Sequence, residues 1–276
     1  MHPLALLALT TPVLSQTFEC TRPFLKSAAD SLITAQTAGN PSLLAPVTAS
    51  TVYHQNFKAG TLSTGSILTT AIKPDHTRHV LDTTQCATYT EYISATGAVP
   101  YVNGYQLWFT NGSISKVDAL TTTTGDWLFN ATGTLHWASR ENWSEIPVEK
   151  RDTREAIKAA GDAYLDIFDD KSVKVPWGQP CSRLEGGAYT GNGGPNDRCD
   201  VGIPDGVKLT NRRYVIDETV GVVDIFLTFG SLADSHEFRL EGGKLRFVHT
   251  ITPMGGSPGP TVGKGKGKAK GKKLRK

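Results

Sequence analysis

The 276-residue chain lacks the short motifs that announce well-known chemistries. It has no GxSxG nucleophile elbow between a strand-like run and a helix pattern, the one such string falling in the Gly/Pro-rich stretch at 255–259, and it has no HExxH, no GxxxxGK[ST], and no dinucleotide fingerprint following a strand. Their absence argues against an elbow-type serine hydrolase, a helix-borne zinc protease, a P-loop nucleotide enzyme and a dinucleotide oxidoreductase. Only four cysteines occur, Cys20, Cys86, Cys181 and Cys199, with no CxxC spacing, which disfavours a thiolate metal site. Long hydrophobic runs are missing too, since the apolar stretch Leu4 to Leu14 is too short to cross a bilayer. A nucleic-acid surface is not indicated. Removing the eight cations of the last thirteen residues (KGKGKAKGKKLRK) takes the formal charge from +3 to −5.

The chain instead contains itself twice. FLKSAADSLI from Phe24 returns as AIKAAGDAYL from Ala156, RHVLD from Arg78 returns as RYVID from Arg213, and the turn at Asn111-Gly112 returns at Gly242-Gly243. These matches keep their order at offsets of 132, 135 and 131 residues, which signals two copies of a whole domain. The expected organisation is a signal peptide over 1–15, a first domain over 16–145, a linker over 146–152, a second domain over 153–252 and a disordered basic tail over 253–276.

An even cysteine set and three sequons, at Asn111, Asn130 and Asn142, suit a secreted or lumenal glycoprotein. Pairing within each half, Cys20 with Cys86 and Cys181 with Cys199, is preferred. Each half opens on an amphipathic helix, the second capped by a box of Asp152 and Glu155, and continues into strand-like runs. The fold class is α+β, two tandem cone-like domains, each with helix packed on a curved antiparallel sheet.

Counting outward from the two-residue turns sets an expected strand register. Leu240 faces Leu245, Phe238 faces Phe247 and His236 faces His249; in the first half Phe109 faces Ile114, Leu107 faces Lys116 and Tyr105 faces Asp118. Two imidazoles then share the apolar face of the second sheet, as a base or hydrogen-bond donor pair, or as a hydrogen-bonded core pair. Tyr105 and Asp118 hold the matching place in the first half. Asp82 and Asp217, ending RHVLD and RYVID, are candidate carboxylates at a cavity mouth or strand-end turn residues. Trp108 is expected to contact the other half or to lie exposed.

WGQPCSRLEGGAYTG, RRYVIDETVGVVDIF and DSHEFRLEGGKLRFVHTIT together resemble a family of secreted fungal proteins classified only as a domain of unknown function. Each half also resembles the cone fold shared by nuclear transport factor two and the SnoaL-like polyketide cyclases. That resemblance implies cofactor-free cyclases, isomerases or dehydratases, or plain binding modules. It extends to fungal cyclases that join a tropolone quinone methide to humulene by hetero-Diels-Alder addition. The single SnoaL-like catalytic carboxylate has three rivals here, Asp82, Asp118 and Asp217. The expected function is therefore a cofactor-independent and metal-free cyclase or isomerase. It would act on an apolar small-molecule substrate through His236, His249, Tyr105 and Asp118, with Asp82, Asp217, Phe238, Phe247 and Trp108 lining the site. A non-catalytic secreted binder is the alternative, and the oligomeric state is left open.

Overall fold

The computed structural model describes residues 18–255, so the expected leader and nearly all of the basic tail lie outside the described residues. The chain runs α1 (Arg22–Ala38), β1 (Val47–Gln55), β2 (Lys58–Gly60), β3 (His76–Asp82), β4 (Ala87–Ser94), β5 (Tyr101–Thr110) and β6 (Ser113–Thr122). After α2 (Ala131–Ala138) the same order returns: α3 (Arg154–Asp166), β7 (Trp177–Glu185), β8 (Ala188–Tyr189), β9 (Leu209–Asp217), β10 (Val222–Phe229), β11 (Leu232–Glu241) and β12 (Lys244–Ile251). The sheets have orders β2-β1-β6-β5-β4-β3 and β8-β7-β12-β11-β10-β9. They match strand for strand, with one parallel pairing each, β1 with β6 and β7 with β12. The fold is α+β, two six-stranded sheets with few helices. No described helix is long and apolar enough to cross a membrane.

Helix α1 buries Leu25, Ala28, Ala29, Leu32 and Ala35, the three-and-four spacing that puts one stripe toward a sheet. It ends at Gly39, whose left-handed backbone suits glycine and whose added Cβ would meet the Ala71 nitrogen at 2.6 Å. Helix α3 starts differently from the sequence expectation. Thr153 caps it by accepting from the Ala156 amide, while Asp152 accepts the Gly243 amide instead. The disulfides pair as expected, Cys20 with Cys86 and Cys181 with Cys199.

Three apolar clusters define the layers. One lies between α1 and the first sheet, around Leu32, Tyr92, Tyr105 and Val117. Another lies between α3 and the second sheet, around Tyr164, Phe168, Phe238 and Val248. The third joins the halves, with Val80, Tyr89 and Leu120 of the first against Val215, Phe226 and Ile251 of the second. The sheets therefore pack back to back with a helix on each outer side, and their central strands, β4 and β5 in one and β10 and β11 in the other, are buried on both faces.

The seam carries a reciprocal clasp. Asp217 accepts from Arg22 at 2.6 Å and from the Leu81 amide at 3.0 Å, while Asp82 accepts from Arg154 at 2.6 Å and from the Ile216 amide at 2.9 Å. Each partner is the repeat-equivalent of the other, the isologous pattern of a twofold dimer. Asp82 and Asp217 are almost fully buried in this seam, so they join the halves rather than line a cavity mouth. Asp217→Ala should cost about 1.5–3 kcal/mol, because the Leu81 amide loses its charged acceptor. Urea denaturation of Asp82→Ala beside it checks the symmetry; a silent Asp217→Ala would refute the clasp.

Candidate functional sites on the two faces of the second sheet

Both hairpin registers slip by one residue. Leu240 faces Leu245 as expected, but Arg246 is bulged, so Arg239 faces Phe247, Phe238 faces Val248, Glu237 faces His249 and His236 faces Thr250. The first half repeats the bulge at Ser115: Phe109 faces Ile114, then Trp108 faces Lys116, Leu107 faces Val117, Gln106 faces Asp118 and Tyr105 faces Ala119. A one-residue slip exchanges faces. His236 and Phe238 thus lie on the α3 side, whereas His249 and Phe247 lie toward the first half, and neither expected pair forms. Tyr105 and Asp118 part in the same way.

His249 sits in a buried ionic cage between the halves. Its Nδ1 lies 2.7 Å from Glu91 and its Nε2 lies 2.5 Å from Glu141. Arg78 approaches Glu237 at 2.5 Å and Glu91 at 3.0 Å, and its guanidinium stacks on Trp143 at 3.5 Å. Trp143 also packs beside Phe247, at 5.4 Å between ring centroids. Burial opposes charge on His249, but the Glu141 and Glu91 carboxylates outweigh it and lift its pKa to about 10. Burial would raise Glu91, yet Arg78 and His249 bring it down to about 2. Glu237 goes up, through burial and repulsion from Glu91, despite Arg78.

Glu91, Glu237 and His249 offer ligand atoms within 4.8 Å of one another, the spacing of a metal site. The donor set does not fit one. Arg78 already occupies the place of the cation, and both imidazole nitrogens are engaged by carboxylates. The cage is a fastening rather than a reaction centre.

Its pH dependence follows from the raised imidazole. The His249 contribution is complete below about pH 6.5, its unfolded value, and is lost as pH rises through about 10. Glu91 contributes above about 4.5 and loses its effect as pH falls toward 2. Glu237 works in the opposite sense, so the alkaline limb is the clean one. The urea midpoint should fall between pH 6.5 and 10 and fall less in His249→Gln; parallel curves would refute the assignment.

The second centre lies under α3. His236 Nδ1 is 2.7 Å from Asp234 Oδ2, two residues back on the same face of β11. The approach is off the hydrogen-bond line, so neither atom has an aligned partner among the described residues, while Asp234 Oδ1 accepts from Thr252. Around the imidazole stand Tyr164, Phe168 and Phe238 with ring centroids 5.8, 6.1 and 5.9 Å away. Arg183 donates to the Tyr164 hydroxyl at 3.3 Å, and burial lifts the Tyr164 pKa.

The first half keeps the geometry without the chemistry. His236 and Asp234 correspond to Tyr105 and Asn103, and Tyr105 accepts from Asn103 at 2.9 Å and donates to Gln36 at 2.6 Å. That side chain is a completed strut, its pKa held high by burial. Asp118 instead pairs with His54, Lys116 and Arg213 toward the seam, and Trp108 packs against the inter-half core. The three sequon asparagines are all exposed.

Sequence reasoning found His236 but missed Asp234, although the DSH spacing on a strand places both on one face. It also missed Arg78, Glu91, Glu141 and Glu237, which meet only through the packing of the halves.

Residues 150–252 match a family described as a domain of unknown function (DUF8021), which is less than half of the chain. No curated protein matches the chain, and no solved structure does.

Proposed function

We propose that the chain is a cofactor-independent cyclase or isomerase acting on an apolar polycyclic precursor, with its working centre in the second half at His236 and Asp234. One observation carries the reading. A histidine–carboxylate pair stands 2.7 Å apart inside an aromatic wall, and no described residue hydrogen-bonds its Nε2. Asp234 orients the ring through Nδ1, and loosely aligned contacts of this kind tighten when substrate binds. The free Nε2 accepts or donates according to the proton on the ring, which suits proton abstraction or polarisation of a carbonyl. The rings supply shape and proximity, which a cyclisation needs most. A hetero-Diels-Alder addition of a tropolone quinone methide to a sesquiterpene is the concrete instance proposed.

Access to the centre would run beneath the irregular segment 190–208. Its Ile203 and Val207 pack on the α3 cluster, the Val207 amide donates to the Phe168 carbonyl at 3.0 Å, and Lys171 ties Ile203 and Pro204 to the end of α3. Long structureless segments in compact domains are often lids. Comparing metabolites of a deletion strain, its parent and a complemented strain tests the proposal. A lost cyclised product and an accumulated open precursor, both reversed by complementation, are expected; an unchanged profile would overturn it.

A further inference from the structure

Two open clefts along the start of β7, neither lined by His236, share Gln179. One, of about 340 Å³, is lined by Trp177, Gln179, Arg198 and Asp200, and the other, of about 280 Å³, by Gln179, Glu241, Arg246, Phe247 and Asn142. Gln179 lines both, and the groove they flank differs in chemistry from the aromatic wall under α3.

Each cleft contains one half-buried aromatic ring and one cation–carboxylate pair. Trp177 is fixed edge-on against Tyr164 at 5.6 Å, and Phe247 is fixed by Trp143. Arg198 contacts Asp200 through Nε at 3.0 Å, and Arg246 contacts Glu241 at 3.7 Å while donating to the Pro180 carbonyl at 3.2 Å. The Arg198 and Asp200 charges cancel, whereas Glu241 is held chiefly by the buried Arg239 at 2.8 Å, so the groove carries at most one uncompensated charge, on Arg246. Exposed Gln179 sits between the rings with a donor and an acceptor. Rings for the C–H faces of a ligand and planar polar groups for paired hydroxyls are the complement of a neutral saccharide. The floor is preformed, since the Cys181–Cys199 bridge joins β7 to the Arg198–Asp200 wall.

From this we infer that the groove around Gln179 binds a neutral oligosaccharide, a site separate from the His236 centre. Two sources share that chemistry. The sugar is a free glycan chain, or it is the chain's own glycan on Asn142, whose side chain lines the groove.

Calorimetric titration of the full-length protein with chitohexaose, laminarihexaose, cellohexaose and mannohexaose, each to about 10 mM, tests the inference, with heparin as the anionic control. Binding of at least one neutral hexaose is expected, weakened at least about tenfold in Gln179→Ala and in Arg198→Ala. Both residues are exposed, so these variants should fold. If binding emerges only in Asn142→Gln or after enzymatic deglycosylation, the protein's own glycan is the occupant. Failure of all four sugars in glycosylated and deglycosylated protein would overturn the inference. So would binding untouched by either alanine variant, or binding of heparin alone.

Discussion

Replacing His236 with glutamine is expected to lower turnover about 10²–10⁴-fold while leaving the urea midpoint nearly unchanged. Glutamine can still donate to Asp234 and still fits among Tyr164, Phe168 and Phe238, but it cannot carry a proton. The loss should fall on kcat more than on KM. Asp234→Asn should act in the same direction more mildly, as a positioning change. Tyr105→Phe, at the equivalent place in the first half, is the control. It breaks the Asn103–Tyr105–Gln36 chain and should cost about 1 kcal/mol of stability without slowing the reaction. The assay uses the precursor that accumulates in the deletion strain. Wild-type turnover by His236→Gln, or an equal loss in Tyr105→Phe, would defeat the assignment.

The largest stability effect is expected at Arg78. Its guanidinium stands between Glu237 and Glu91, both buried, and it is stacked on Trp143. Arg78→Met keeps the volume and removes the charge, so two carboxylates are left facing each other without water. Breaking a buried pair in this way costs about 3–5 kcal/mol, because uncompensated charge is the penalty rather than the lost contact. The triple variant Arg78→Met, Glu91→Gln, Glu237→Gln should recover most of the loss, since neutral side chains of similar size are tolerated in such places. Denaturation in urea decides between the outcomes. A triple variant as unstable as the single one would mean that Arg78 acts by packing alone.

Much of the architecture was legible in the sequence because duplication leaves matches wherever the two copies have kept the same job. The helix stripes of Leu25 to Leu32 and Ile157 to Leu165 read clearly, as did the two disulfides and the turns at Asn111-Gly112 and Gly242-Gly243. The face assignment beyond those turns failed for a specific reason. A bulge at Ser115 or Arg246 has no compositional mark, and it inverts every side chain after it. Alternation would normally expose the error by placing polar residues on the wet side. Here both faces are covered, one by a helix and the other by the opposite sheet, so Phe247 and Val248 are equally plausible inward residues. The ionic cage was out of reach for a related reason. Arg78 and Glu237 are 159 residues apart and meet only across a seam that neither half implies alone.

The reciprocal grip of Arg22 on Asp217 and Arg154 on Asp82 has an evolutionary consequence. In a pair of identical subunits every inherited change appears on both sides of the axis, so a new side chain must suit two environments at once. A single gene encoding both copies removes that constraint. One copy can settle into a supporting role, with a phenol where its sibling keeps an imidazole, and one edge of the seam can gain a glutamate where the other has a phenylalanine. Divergence between siblings is then the place to look for specialisation in other chains of this build.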